Sequence, residues 1–321
     1  MRKHFLVSFL VASTFTVAAS ASSSALAAPV VGGTTVPAHA YPDAVAVLAA
    51  NAACTGTLIA PDVVLTAGHC IEVHPVEVIV DTTDYASSGG EHIRVASAAA
   101  YPSWATQYDV GVLMLESPAH TKPRPIAATC ALTADLVDGA RVRLVGFGLT
   151  DEGGSGDNSR LHQALLDVTD GACTDPACNS KVAPNGEFMA GGDGTDSCFG
   201  DSGGPVYVGT GAKAALAGVV SRGGGPDGAP CGGGGIYVRA DKVVAWIEKT
   251  TGRTIARSAC TAGSKADGGA DDDSDATVAA PAASDAGGCA VGGAAGAGTG
   301  GVGGSILALG CALRITRRRR A

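Results

Sequence analysis

Between Asp196 and Pro205 the chain reads D-S-C-F-G-D-S-G-G-P. The part from Gly200 to Pro205 is too glycine-rich for a helix or a central strand, because glycine costs order in either. A turn of this kind lets backbone N–H groups converge on one small volume. A serine hydroxyl beside converging donors is what acyl transfer needs, since the tetrahedral intermediate carries an oxyanion. A bare G-x-S-G reads more readily as a surface loop, so the case rests on the length of the match and on what stands elsewhere in the chain.

Over these ten positions the chain resembles the trypsin-like (chymotrypsin-fold) serine peptidases, whose nucleophile stretch is G-D-S-G-G-P. The resemblance implies that Ser202 is the nucleophile and that the N–H groups of Gly200 and Ser202 form the oxyanion hole. Thr66-Ala67-Gly68-His69-Cys70 is similar to the family's histidine motif T-A-A-H-C, with glycine for the second alanine. Tyr108-Asp109-Val110-Gly111-Val112-Leu113-Met114-Leu115 is similar to its D-I-A-L-L strand. By this resemblance His69 is the general base, and Asp109 accepts from its Nδ1–H and fixes the tautomer. An acid at the head of an apolar strand is costly to bury without donors, which suits such a role. The order His69, Asp109, Ser202 is that of the chymotrypsin fold, not of subtilisins or α/β-hydrolases.

The same resemblance supplies a pocket. Asp196 lies six residues before Ser202, where the trypsin branch places the carboxylate that pairs with substrate arginine or lysine. A carboxylate in a narrow pocket is favourable when a cation fills it, and a guanidinium fits best. Ser197, the Ser221-Arg222-Gly223 wall and Gly235 opposite it complete the expected substrate-binding set. Arg222 stands where tryptophan is usual, and its cation is within range of the pocket mouth or of Asp196. The glycine runs 223–225 and 232–235 imply loose walls.

Pro29-Val30-Val31-Gly32-Gly33 resembles the family's mature amino terminus. There the α-amino group, here that of Val30, pairs with the aspartate before the nucleophile, here Asp201, and orders the oxyanion loop. Burying such an aspartate alone would cost several kcal/mol. Proline precedes Val30, so a separate peptidase is expected to remove Ala28-Pro29.

The elements that must position these groups read as short strands. Ala44–Ala50, Gly56–Ile59, Val63–Leu65, Val76–Val80, Ile93–Val95, Val110–Leu115, Val142–Val145, Ala214–Val220 and Ile236–Val238 are apolar runs bounded by turn residues. Asp241–Thr251 alone carries a helical pattern. Aromatic content of 4 % and 47 glycines suit strands and turns. Many strands with little helix point to antiparallel barrels or a sandwich. The resemblance selects an all-β chymotrypsin-like fold of two antiparallel six-stranded β-barrels with a C-terminal helix.

Residues 1–27 read as a secretory signal peptide: Arg2, Lys3 and His4 precede an apolar run, and Ala25-Leu26-Ala27 offers a cleavage site. A short pro-segment (28–29), a peptidase domain (30–257), an acidic Gly/Ala linker (258–288) and a sorting segment (289–321) follow. Export implies an oxidising compartment, so the ten cysteines read as disulfide partners before metal ligands. The resemblance pairs Cys54 with Cys70, a closure of roughly 3 kcal/mol, and Cys198 with Cys231. Met189 stands where the family's usual partner of Cys173 would be, so Cys173 and Cys178 are expected to close a local loop. Cys130 and Cys260 remain as a candidate pair.

The stretch Asp81–Glu91 resembles the family's calcium loop at its acidic ends but has Ser87 and Ser88 inside. It reads better as a solvated hairpin, so no metal and no cofactor are expected. The net charge of -8 gives no basic face for nucleic acid. Gly287-Gly288-Cys289, a weakly apolar run and Arg317–Arg320 resemble myxobacterial C-terminal sorting tails, trimmed near Cys289. Expected partners are polypeptide substrates, protein inhibitors, signal peptidase and a sorting protease, with membrane contact through the tail only. The expected location is the bacterial cell surface. The rival is a catalytically silent homologue acting as a surface binding module, and no triad residue is missing.

Overall fold

A computed structural model describes residues 30–260, apart from 157 and 224–230. The signal peptide, Ala28-Pro29, the linker from residue 261 and the sorting segment with Cys289 lie outside the described residues. In chain order the strands are β1 (Thr34–Thr35), β2 (Ala44–Leu48), β3 (Ala53–Ala60), β4 (Val63–Thr66), β5 (Glu77–Val80), β6 (Glu91–Ala100) and β7 (Gly111–Leu115). They continue with β8 (Arg141–Gly146), β9 (His162–Asp170), β10 (Glu187–Ala190), β11 (Pro205–Val208), β12 (Ala215–Gly223) and β13 (Gly235–Arg239). Helices are α1 (His69–Glu72), α2 (Thr129–Asp135) and α3 (Val244–Thr251).

Strands β2-β3-β4-β7-β6-β5 close one antiparallel barrel. The order β9-β10-β13-β12-β11-β8, closed by β9 on β8, makes the second, with β1 added at the edge of β9. The two six-stranded barrels and the terminal helix are the expected chymotrypsin-like architecture. Leu58, Val64, Val78 and Leu113 fill the first barrel, and Leu144, Leu166, Phe188 and Tyr237 fill the second. The largest buried cluster takes side chains from both, among them Ile59, Leu65, Phe147, Leu216 and Val238. The barrels are therefore packed on each other by apolar burial, the dominant favourable term in folding.

A polar clamp crosses this packing. Asp43, 1 % exposed at the entrance to β2, accepts from Arg124 Nε at 2.9 Å, from Arg124 Nη2 at 2.5 Å and from Tyr207 Oη of β11 at 2.7 Å. The Arg124 guanidinium lies 5.1 Å from the Tyr207 ring centroid. Buried charge survives only when paired and hydrogen-bonded, and here both conditions hold. The expected helix begins as a 3₁₀ turn, Ala240–Val243, and becomes α-helical at Val244. It ends at Gly252 in the left-handed conformation, φ +66°, with the Gly252 N–H donating to the Glu248 carbonyl at 2.8 Å.

Disulfides join Cys54 to Cys70, Cys198 to Cys231, Cys173 to Cys178 and Cys130 to Cys260. The last closes the end of the described chain onto α2, beside Ser258, whose hydroxyl accepts from the Ala128 N–H at 3.1 Å.

Candidate active site

His69 opens α1 at the exit of β4, and the Cys54–Cys70 bond fixes that exit to β3. Asp109 stands just before β7, whose pairing with β4 (Thr66 opposite Gly111) brings the two residues side by side. One carboxylate oxygen of Asp109 accepts from the His69 backbone N–H at 3.0 Å. The other lies 2.9 Å from His69 Nδ1 and accepts from the Ser221 hydroxyl at 2.8 Å. Such a carboxylate requires the proton on Nδ1, which leaves Nε2 as the basic nitrogen. The Trp104 ring lies 6.2 Å from the imidazole, tilted 56°.

The departure at Gly68 has a steric cause. A Cβ there would stand 2.7 Å from Trp104 Cβ and 3.1 Å from Asp109 Oδ1. The alanine usual in the motif does not fit beneath this tryptophan.

The loop from Cys198 to Gly204 comes from the second barrel and packs on the first. Gly203 shows how closely: its φ is +80°, and a Cβ would lie 2.0 Å from Thr66 Oγ1 and 2.6 Å from the Ala67 nitrogen. The Ser202 carbonyl accepts from the Thr55 N–H at 2.9 Å and lies 3.6 Å from Cys70 Sγ. The backbone of Ser202 is thus lodged against the residue that follows His69.

The peptide planes of the loop are fixed through their carbonyls. Phe199 O accepts from the Leu149 N–H at 2.8 Å, and Asp201 O accepts from the Gly204 N–H at 2.7 Å. These peptides are trans, so the Gly200 and Ser202 N–H groups point the opposite way, off those acceptors. Asp201 is fully buried and accepts from the Gly148 N–H at 2.8 Å and the Cys198 N–H at 2.9 Å. Burial pushes its carboxyl up to about 7 against these donors.

Val30 and Val31 are buried, 0 % and 4 % exposed. Val30 joins the core of the second barrel, and Val31 packs with Cys198, Cys231 and Leu149. The Val31 carbonyl accepts from the Asp196 N–H at 3.1 Å, which ties this segment to the pocket.

Asp196 is 1 % exposed. One oxygen accepts from the Ser197 N–H at 2.6 Å and lies 3.3 Å from the Ser197 hydroxyl, and the other accepts from the N–H groups of Gly232 and Gly234, both at 3.1 Å. Desolvation nevertheless raises its carboxyl above the ordinary value. The Cys198–Cys231 bond ties the segment carrying Asp196 to the one carrying Gly232 and Gly234. At Gly235 a Cβ would stand 2.6 Å from Tyr237 Oη and 2.9 Å from Ser197 Oγ, so only glycine keeps that space open. A Cβ at Gly223 would meet nothing within 4 Å.

Arg222 does not turn to Asp196 or to the pocket mouth. Its Nη1 and Nη2 form a fork on Glu187, at 2.6 and 3.0 Å. Nη1 also reaches the Ser221 hydroxyl at 3.3 Å and Nη2 the Ala177 carbonyl at 3.2 Å. Glu187 is 0 % exposed, and one of its oxygens also accepts from the Asn179 N–H at 2.8 Å. Both carboxylates are buried, but Glu187 has one backbone donor where Asp196 has three, so Glu187 has the greater need of the cation. The pocket aspartate therefore keeps its charge free of this arginine. Glu187, Thr55 and Tyr237 carry weight at the site that local motifs do not announce.

Among the described residues, the two Cys/His/acid clusters tight enough for an ion are Cys54–His69–Cys70 and Cys173–Cys178–Glu187. Each contains a disulfide, so its sulfurs are already bonded. At the acidic ends of the hairpin, Asp81 lies 3.0 Å from His39 Nδ1 and Glu91 lies 2.8 Å from His120 Nδ1.

Comparison with known proteins agrees with this geometry. The family described as Trypsin matches residues 30–247. A trypsin of Saccharopolyspora erythraea is 33 % identical over 192 residues, covering 56 % of this chain and 82 % of that protein. Glucanase inhibitor protein 3 of Phytophthora infestans is 31 % identical over 211 residues, covering 62 % of this chain and 78 % of that protein. With its two barrels, the loop from Cys198 to Gly204 packed between them and this match across most of its length, the chain belongs to the trypsin family.

Proposed function

We propose that this protein is an exported serine endopeptidase that cleaves after arginine or lysine through an acyl-enzyme. His69 Nε2 takes the Ser202 hydroxyl proton as the oxygen attacks the scissile carbonyl. The Gly200 and Ser202 N–H groups receive the oxyanion. His69 then returns the proton to the leaving amine, and water repeats the sequence to release the acid. Asp109 orients His69 and stabilises its imidazolium. Asp196 pairs with the substrate cation, while Ser197, Ser221, Gly223 and Gly235 line the site. The α-amino group of Val30, once freed, pairs with Asp201.

The observation that carries this reading is the Asp109 carboxylate, shared between His69 Nδ1 and the Ser221 hydroxyl, with the Ser202 backbone lodged beside Cys70. A serine-directed fluorophosphonate should label the protein that begins at Val30 and leave Ser202→Ala unlabelled. Peptides with Arg, Lys, Phe and Ala at the cleaved position then read the pocket. Equal cleavage of all four would remove the assignment to basic residues.

The likeness to a glucanase inhibitor protein supports a second reading, a silent homologue that binds another protein. A chain beginning at Val30 that takes no fluorophosphonate would favour it. Export by residues 1–27 and sorting to the surface by a tail trimmed near Cys289 belong to the first reading. Masses of the two mature ends test both.

A further inference from the structure

We propose that Thr55 is a positioning residue for the oxyanion hole, acting through the Gly200 carbonyl; this rests on the peptidase reading above. Thr55 is a β3 residue of the first barrel and is 0 % exposed. Its hydroxyl donates to the Gly200 carbonyl at 2.7 Å and accepts from the Phe147 N–H at 3.1 Å. Its backbone N–H donates to the Ser202 carbonyl at 2.9 Å, and its own carbonyl accepts from the Thr66 hydroxyl at 2.8 Å. One buried residue therefore holds the carbonyls on both sides of the Asp201-Ser202 step and is itself held to the strand that leads to His69.

The consequence is geometric. The hole needs two N–H groups aimed at one point, and each is aimed only if the neighbouring peptide planes cannot rotate. Phe199 and Asp201 carbonyls are tied by backbone donors. The Gly200 carbonyl is tied by the Thr55 side chain. The Gly200–Asp201 plane is held at two ends, by that hydroxyl and by the Asp201 N–H on the Cys198 carbonyl at 3.0 Å; without the hydroxyl, the carbonyl end, on a residue with φ +101° and no Cβ, loses its own tie. The donor comes from the barrel that carries His69, while the loop belongs to the barrel that carries Ser202. The Thr55 hydroxyl thus sets the oxyanion donors relative to the base as well as relative to the nucleophile.

The test compares wild type, Thr55→Val and Thr55→Ser, each beginning at Val30 and each counted by exhaustive fluorophosphonate titration. Valine keeps the shape and removes the hydroxyl; serine keeps the hydroxyl. Single-turnover acylation by Thr55→Val should be slower by about 10- to 100-fold, less than the roughly 100- to 1,000-fold cost of removing one oxyanion donor outright. A peptide aldehyde, whose adduct with Ser202 is tetrahedral, should bind Thr55→Val more weakly by the same factor. KM and the affinity of the product peptide should stay within about twofold, because they report ground-state binding. Thr55→Ser should recover acylation and aldehyde affinity together. Thr55→Ala carries the same expectation as valine and serves if valine does not fold.

Wild-type acylation in Thr55→Val overturns the proposal, as does an equal loss of aldehyde and product affinity, or a serine variant as slow as the valine one. An inert wild type would instead remove the peptidase reading, and this inference with it.

Discussion

If the proposed pairing of Val30 with Asp201 holds, the buried carboxyl of Asp201 should make the stability of the chain depend on whether Val30 is free. Its value of about 7 stands against an ordinary 3.8, and the group is fully buried, so solvent screening does not dilute the difference. A carboxyl raised in the folded state favours the folded state while it is protonated. That contribution is complete below about pH 4, falls as pH rises through about 7, and is gone above it. Each unit between the two values is worth about 1.4 kcal/mol, so a protein that still carries Ala28-Pro29 should lose on the order of 4 kcal/mol between pH 4 and pH 7.5. A free Val30 α-ammonium compensates the ion and removes most of this loss. The assay is urea unfolding from pH 4 to 8 of two proteins, one beginning at Ala28 and one at Val30. Both carry Ser202→Ala to stop self-cleavage. Groups other than the α-amino terminus contribute alike to both, so the difference curve reports Asp201 together with the Val30 ammonium: from pH 4 to pH 7.5 it should move by up to about 4 kcal/mol in favour of the Val30 form. Asp201→Asn should flatten the Ala28 curve and destabilise the Val30 form. Parallel curves for the two proteins would refute the reasoning, and so would an Ala28 curve that Asp201→Asn leaves unchanged.

Two further outcomes follow from the pocket and its wall. Arg222→Ala strands a fully buried Glu187, which should cost about 3 to 5 kcal/mol and lower Tm by on the order of 10 °C. Adding Glu187→Gln should restore part of that in the same melting assay, and a single variant as stable as wild type would show that the fork carries nothing. Asp196→Ser should reduce kcat/KM for arginine substrates by about 10²- to 10³-fold while leaving the alanine substrate within a few-fold. Because the Asp196 carboxyl is raised, KM for arginine substrates should climb as pH falls toward 5, at a higher pH than an ordinary carboxylate would require. A KM for the arginine substrate as flat between pH 5 and 8 as that for the alanine substrate would contradict this.

The barrels were legible where an apolar run shows itself without a gap. β3, β4, β7 and β12 are nearly all buried, and each stands out as a stretch of small and aliphatic residues. β9 is different. Its residues His162, Ala164, Leu166 and Val168 point inward, while Gln163, Leu165, Asp167 and Thr169 alternate with them. The period of two is present, but a strand with one wet face shows no continuous apolar run. β11 is fully buried yet begins on Pro205, which argues against a central strand unless the missing N–H falls at its first position, as it does here. β10 is only four residues and starts on Glu187, a residue that sequence alone assigns to a surface. His69, Asp109 and Ser202 each sit in a contiguous motif, and the structure sets the first two side by side.

The two departures from those motifs were not interpretable from the motifs themselves, and both turn out to be halves of a pair. Gly68 is small because Trp104, thirty-odd residues later, occupies the volume an alanine methyl would need. Arg222 replaces a neutral ring, and the charge is met by Glu187, buried on the neighbouring strand system 35 residues earlier. A local reading sees an arginine near an acidic pocket and expects attraction, since the nearest acid in the motif is Asp196. The folded chain decides otherwise, because Glu187 has only the Asn179 N–H as a backbone donor, whereas Asp196, equally buried, already holds N–H donors from Ser197, Gly232 and Gly234. The same pairing sets Arg222 Nη1 against Ser221, whose hydroxyl reaches Asp109. A substitution in the wall is therefore connected to Asp109 and His69 through one side chain, and a variant at Glu187 reaches them through Arg222 and Ser221.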